Sequence, residues 1–193
     1  MPSSNQPFFP VFLKLRGREA LLVGGGRVAA AKLELLLLAG ARVTVVAPGI
    51  RPELERDGVR LARRAFEPRD LDGKWLAIAA APAEVNRQVA AAAEERRVFV
   101  NAVDDPGAAS AFLGGVVRRN GVTLAISTEG RAPALAGLLR EAIDSVLPPE
   151  LGDWVDLAER LRARWREDGV PIAERRPLLL RALQERFASR GAP

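Results

Sequence analysis

The sequence predicts an α/β protein: a doubly wound parallel sheet, then a hairpin-helix segment and a small C-terminal helical domain. Three observations carry this. An apolar run, Ala20-Leu21-Leu22-Val23, breaks into Gly24-Gly25-Gly26 and reopens with helical character over 28–39. Apolar runs then alternate with helical stretches through the first hundred residues, as strands joined by crossover helices do. Beyond residue 104 the alternation stops, and two apolar runs flank Asn120-Gly121, the strongest short hairpin signal.

Taken in order, 20–23 is the first strand and 28–39 the first helix. Arg42–Val46 is the second strand at the separation a βαβ unit needs, and Ala47-Pro48-Gly49 is a turn. A short helix is expected over 52–57, then an edge strand over 59–63, where apolar and charged residues alternate. Residues 75–80 form a continuous apolar run ended by Pro82, as a strand buried on both faces requires. A helix over 83–96 and a buried strand over 98–103 complete the sheet. The hairpin strands are 112–117 and 122–127. An isolated hairpin is marginal in water, so it is expected to pair elsewhere, and a second subunit is one candidate. Pro133 opens a helix over 134–146, closed by Pro148-Pro149. Residues 150–189 hold two amphipathic helices broken near Gly169-Val170-Pro171, with Trp154, Leu157, Leu161 and Trp165 on one face. The domains expected are 1–112, a dinucleotide-binding Rossmann-like unit, 113–148, a dimerisation segment, and 149–193, a helical domain.

The glycine run carries the chemistry. Read as G-x-G-x-x-A, it spans Gly24, Gly26 and Ala29. Gly24 takes the tight turn, Gly26 lets the backbone approach a pyrophosphate, and Ala29 lets helix and strand pack closely. Amides at the helix N-terminus then face the anion. The alternative is that three glycines merely make a tight connection.

Composition narrows the reaction class. The 193 residues include no cysteine, histidine or tyrosine. Disulfides, thiolate nucleophiles and the commonest proton shuttles and metal ligands are therefore excluded, and no metal site is expected. Chemistry must rest on carboxylates, hydroxyls, Lys, Arg and a cofactor. No run approaches the ~18 apolar residues of a membrane span, and residues 1–10 show no secretory pattern, so a cytoplasmic protein with no membrane partner is expected. The net charge of +5 comes largely from arginine, lysine occurring only at Lys14, Lys32 and Lys74. With 5% aromatic residues and no nucleic-acid motif, no nucleic-acid partner is expected. A polycarboxylate small molecule fits the charge, as does an arginine-rich surface without function.

Ligands of doubly wound sheets bind at the carboxyl ends of the strands. Asp104 follows the run 98–103 directly, so it stands at that edge as a general-base candidate; the other reading is an Asx turn with Asp105-Pro106. Ser127 and Thr128, in Ser127-Thr128-Glu129-Gly130-Arg131-Ala132-Pro133, offer hydroxyls to an anion or cap the next helix. The ribose-binding acid common about 20 residues past a glycine loop is missing, because no Asp or Glu lies between Glu34 and Glu53. Backbone at 47–49 would serve instead.

Phe9-Pro10-Val11-Phe12-Leu13, Val23-Gly24-Gly25-Gly26-Arg27-Val28-Ala29, Lys32, Gly40-Ala41, Val100-Asn101-Ala102-Val103-Asp104-Asp105-Pro106 and Leu138-Leu139-Arg140 resemble the precorrin-2 dehydrogenase family. That family includes the N-terminal part of siroheme synthases, and the resemblance runs from about residue 8 to residue 166. It implies NAD-dependent oxidation of precorrin-2 to sirohydrochlorin, followed in some members by insertion of ferrous iron to give siroheme. It implies a homodimer that exchanges the hairpin and the following helix. By matching motif it makes Asp104 the essential aspartate and Thr128, with Ser127, a hydroxyl position near the substrate. It assigns NAD contacts to Gly24, Gly25, Gly26, Arg27, Val28, Pro48, Gly49, Ala80 and Asn101. Precorrin-2 carries eight carboxylates, which suits the positive charge.

Three departures stand out: Ala80-Ala81-Pro82 replaces a polar pair, Gly114 occupies a common proline position, and Arg131-Ala132-Pro133 replaces Thr-Ser-Pro. No methyltransferase-like glycine loop follows within the 193 residues, so methylation is expected to fall to another protein. A different class of reading is a nucleotide-sensing module without catalysis, in which Asp104 is a turn residue. A third is a nucleic-acid binder using the arginine-rich terminal helices.

Overall fold

The computed structural model describes residues 7–187; the readings that touch residues 1–6 and 188–189 lie outside the described residues. The chain forms two compact units that divide between Leu113 and Gly114.

In the first unit β1 (Glu19–Val23), β2 (Arg42–Val46), β3 (Arg60–Ala62), β4 (Leu76–Ala79) and β5 (Phe99–Ala102) make one parallel sheet in the order β3-β2-β1-β4-β5. The order reverses between β1 and β4, where open α/β sheets leave a crevice at the strands' carboxyl ends. Helices α1 (Arg27–Leu38) and α2 (Ala83–Glu95) supply the crossovers.

Because strand side chains alternate, the uninterrupted apolar runs feed two cores. Ala20, Leu22, Val43, Val45, Leu76 and Ile78 pack with Ala29, Leu33 and Leu36 of α1. Leu21, Val23, Val46, Ala77, Ala79 and Val100 pack with Val89, Ala92 and Ala93 of α2 and with Leu71. The helical spacing of 29, 33 and 36 puts one α1 face against the sheet. Truncating fully buried Leu33 to alanine would cost about 2–5 kcal/mol.

Some limits differ from the sequence reading. The expected helix at 52–57 is one 3-10 turn, Pro52–Leu54, anchored by buried Leu54. Trp75 lies outside β4 and is exposed, with the Arg18 guanidinium 3.5 Å from its ring centroid. Phe99, expected in a buried run, is exposed because α1 covers β1 and β2 and does not reach β5. Phe8, ahead of the sheet, stacks on Phe112 with centroids 4.5 Å apart.

Polar residues close the amino-terminal edge of the sheet. Glu19 accepts from Arg60 and from Lys74 Nζ at 3.1 Å, and Lys74 also donates to the Thr44 hydroxyl at 3.2 Å. Burial pushes the Glu19 carboxyl up, but Lys74 and Arg60 outweigh it and hold the carboxyl below its usual value.

The second unit begins with the hairpin of β6 (Gly115–Arg119) and β7 (Val122–Ile126), antiparallel with Arg119 opposite Val122. Asn120 and Gly121 turn it at φ 45° and 86°, the two positive values a type I′ turn needs. Helix α3 (Pro133–Val146) lies on the hairpin, its Ala136 carbonyl against Gly115. Arg119 locks the pair, donating to the Asp144 carboxylate at 2.8 Å and the Leu147 carbonyl at 2.9 Å. Gly114 has the Ile126 carbonyl where its Cβ would be, so the departure at this position removes a clash. Helices α4 (Leu151–Glu167) and α5 (Ile172–Phe187) pack on each other, and Trp154, Leu157, Leu161 and Trp165 are all half-buried. Among the described residues no helix is long and apolar enough to cross a membrane.

Candidate cofactor and active site

The carboxyl edge of the sheet is built around the glycine loop. Gly24 leaves β1 at φ 133°, a conformation L side chains rarely adopt, and its N–H donates to the Val46 carbonyl at 3.0 Å. The Ala80 carbonyl oxygen lies where a Gly24 Cβ would be, and the Gly49 carbonyl oxygen where a Gly25 Cβ would be. Hydrogen bonds repeat these approaches: the Ala80 N–H donates to the Val23 carbonyl at 2.8 Å, and the Arg51 N–H to the Gly25 carbonyl at 3.1 Å. The loop after β1 is therefore held between the loops after β2 and β4.

Gly26 is different. It is exposed, and no protein atom lies within 4 Å of the Cβ it lacks. It is the N-cap of α1, offers no side-chain cap, and is followed by no acidic residue in the first turn. The helix presents uncapped amides with positive dipole character, and the one glycine of the 24–26 run with open space at its missing Cβ sits beside them. This set fits a pyrophosphate. Arg27 and Val28 open the helix and are exposed, as are Pro48 and Gly49 across the loop, while Ala80 is half-buried. The first carboxylate after β2 is Glu53, bound by Arg51 at 2.8 Å; that hydrogen bond holds it below its ordinary value, with the Arg27 charge adding.

Asp104 lies two residues past the carboxyl end of β5, on the same edge, one strand beyond β4. With strands about 4.8 Å apart, it lies about 10 Å across the sheet from the end of β1. Its φ is +60°, uncommon for a residue other than glycine. Asp104 is the third residue of a turn closed by the Asp105 N–H and the Ala102 carbonyl at 3.4 Å, and among the described residues its carboxylate has no hydrogen bond or ion pair. The alternative of an Asx turn at Asp104 is met only in part: the turn forms through backbone groups, without the Asp104 side chain. The turn presents an exposed acid at a ligand-binding edge, in a left-handed conformation that aspartate adopts more readily than most residues.

Asn101, inside β5, is buried, and its carboxamide donates to the Ala111 carbonyl at 3.0 Å, which holds the loop covering this edge strand. Sequence reasoning passed over Asn86. It is 2% exposed on α2, accepts from the Ala81 N–H at 3.0 Å and donates to the Val103 carbonyl at 3.2 Å. Its signal was an amide in the apolar stripe shared with Val89 and Ala93.

Ser127 and Thr128 belong to the second unit. Each hydroxyl accepts a local backbone N–H, Ser127 from Glu129 at 3.0 Å and Thr128 from Ala132 at 3.2 Å. Thr128 thereby shapes the entry to α3, whose own N-cap, Ala132, has no side-chain acceptor. Among the described residues no three His, Cys, Asp or Glu side chains gather to hold a metal ion.

Comparison with known proteins adds the lineage. A family described as putative NAD(P)-binding matches residues 11–115, just over half of the chain. A siroheme synthase of Citrobacter koseri is 46% identical over 172 residues, which cover 86% of this chain and 38% of that protein. Siroheme synthase 2 of Klebsiella pneumoniae is 45% identical over the same shares. The chain thus spans well under half the length of these relatives. The solved structure of SirC, a precorrin-2 dehydrogenase, matches with a TM-score of 0.70 over 93% of this chain and 92% of that one; at 23% identity the match speaks for the fold.

Proposed function

We propose that this chain, which belongs to the putative NAD(P)-binding family and is akin to siroheme synthases, dehydrogenates precorrin-2 to sirohydrochlorin with NAD. The observation that carries the reading is the pairing of two features on one sheet edge: a glycine loop whose Gly26 meets only open space, and an unpaired carboxylate, Asp104. The bound cofactor supplies the hydride acceptor.

In this reading the amides that open α1 hold the pyrophosphate. Gly24 and Gly25 shape the loop that presents them, and Pro48, Gly49 and Ala80 wall it. Asp104 takes the proton that leaves the macrocycle, which requires an ionised acid free of a protein partner. Asn101 acts from beneath, by holding the strand end. Ser127 and Thr128 are proposed on the substrate side, their hydroxyl hydrogens left to donate to a propionate or acetate while their oxygens accept from backbone. Ferrous iron is proposed as a second substrate, to be tested apart from the oxidation.

The homodimer is part of the same reading. Leu135, Leu138, Leu139 and Val146 form an exposed apolar stripe on α3, on the helix that also packs the hairpin. Such a stripe suits a second copy of the chain. A cytoplasmic location goes with dependence on NAD.

The test is an anaerobic absorbance time course of the protein with precorrin-2 and NAD, with Asp104→Ala alongside. Sirohydrochlorin and NADH should appear together, and the variant should fall by about 10²–10⁴-fold. Cofactor binding without conversion would overturn the catalytic reading in favour of a nucleotide-sensing module.

A further inference from the structure

Among the described residues of the first unit, Asn86 alone joins the loops after β4 and β5 through one carboxamide. Its Oδ1 accepts from the Ala81 N–H at 3.0 Å, directly after Ala80, whose carbonyl fixes Gly24. Its Nδ2 donates to the Val103 carbonyl at 3.2 Å, directly before Asp104. The Val103 N–H is also fixed, to the Ala79 carbonyl at 2.9 Å. Both backbone polar groups of the residue preceding Asp104 are therefore pinned, one by β4 and one by Asn86.

This matters because Asp104 adopts φ +60°. The peptide joining Val103 to Asp104 is the central peptide of the turn from Ala102 to Asp105, whose orientation sets the conformation of Asp104, and its carbonyl is the group Asn86 holds. The chemistry asked of position 86 is specific: one acceptor and one donor on a short, buried, uncharged side chain. An aspartate offers two acceptors, and a leucine neither.

We propose that Asn86 is a positioning residue for the dehydrogenation described above, setting Asp104 in its left-handed conformation in register with the cofactor turn at Ala80 and Ala81. The proposal rests on that reading of Asp104, and it assigns Asn86 no contact with substrate.

The test uses the full chain carrying N86D, with N86S as a second variant should the buried carboxylate prevent folding. Two readouts are needed. Isotope-edited NMR of Asp104 reports its backbone conformation through the Cα and Cβ shifts without any reaction. In both variants these shifts should leave the left-handed range while the other amides of the sheet keep their positions. Steady-state kinetics should show kcat reduced by about 10–100-fold, as a misplaced catalytic group entails, with the KM for NAD within about twofold in N86D, which keeps the acceptor for Ala81. Unchanged Asp104 shifts in a folded variant would overturn the proposal, as would equal losses of stability and kcat with no change at Asp104. If the unmodified protein does not oxidise precorrin-2, the functional reading falls instead, and the NMR arm still decides whether Asn86 sets Asp104.

Discussion

The carbonyl oxygen of Ala80 occupies the space into which a side chain on Gly24 would extend, so the loops after β1 and β4 touch backbone to backbone at the switch point of the sheet. Gly25 stands in the same relation to Gly49. Gly24→Ala and Gly25→Ala are expected to lower stability by about 3 kcal/mol or more, near 10 °C in Tm for a chain of this length. Gly26→Ala should lose only about 0.5–1 kcal/mol, the cost of alanine at an N-cap, yet bind NAD about tenfold or more weakly, since a close-lying pyrophosphate requires that glycine. Calorimetry and a cofactor titration on the three variants check the contrast, and a Gly26→Ala protein that binds NAD normally would remove the pyrophosphate from this loop.

Asp104→Asn is expected to leave stability within about 0.5 kcal/mol, because asparagine tolerates the left-handed conformation well. Turnover of precorrin-2 should fall by about 10²-fold or more. Denaturant titration and single-turnover absorbance on the same preparation separate the two.

Arg97 forms the left-handed cap of α2 at φ 55°, with its own N–H donating to the Glu94 carbonyl and the Val98 N–H to the Ala93 carbonyl. This is the Schellman pattern, with Val98 and Ala93 both in the core. Arg97→Gly should stabilise the protein by about 0.5–1 kcal/mol by relieving the Cβ at that conformation. Urea unfolding would read a raised midpoint with an unchanged slope.

Asp70 accepts from Arg64 at 2.5 Å and from the Glu67 N–H at 2.9 Å. Burial alone would raise its carboxyl, but these hydrogen bonds and the arginine charges hold it below the ordinary 3.8. A carboxyl lowered on folding stabilises the protein fully above 3.8, and that contribution disappears as pH falls through the lower folded value. Asp70→Asn should therefore cost about 1 kcal/mol at neutral pH. The difference from the parent should hold down to about pH 5 and narrow below pH 4, as thermal unfolding across pH would show.

Leu138, 64% exposed in the middle of the α3 stripe, is the residue to charge. Leu138→Glu should convert a dimer to a monomer in light scattering while the helix content stays constant, since the side chain makes no core contact in its own chain. A parent protein that is monomeric at micromolar concentration would sink the proposed homodimer.

Much of this was legible in the sequence because it is local. Strands β1, β2 and β4 read as apolar runs, α1 and α2 by their period, and the hairpin by Asn120-Gly121, since each signal is a property of a few adjacent residues. The glycine loop and Asp104 were read as candidates the same way, one by its spacing and the other by its place after a strand. What tertiary structure decided is which backbone groups meet. Gly24 and Gly25 are required by carbonyls 56 and 24 residues away, at Ala80 and Gly49, whereas Gly26 has open space at its missing Cβ. Helix α1 reaches β1 and β2 but leaves Phe99 of β5 bare. Asn86, passed over in the sequence, bridges two loops only because the fold brings Ala81 and Val103 to either side of it. The difference is physical: propensity and periodicity act through neighbours in the chain, while close approach and the pairing of buried polar groups depend on segments that only the folded sheet brings together.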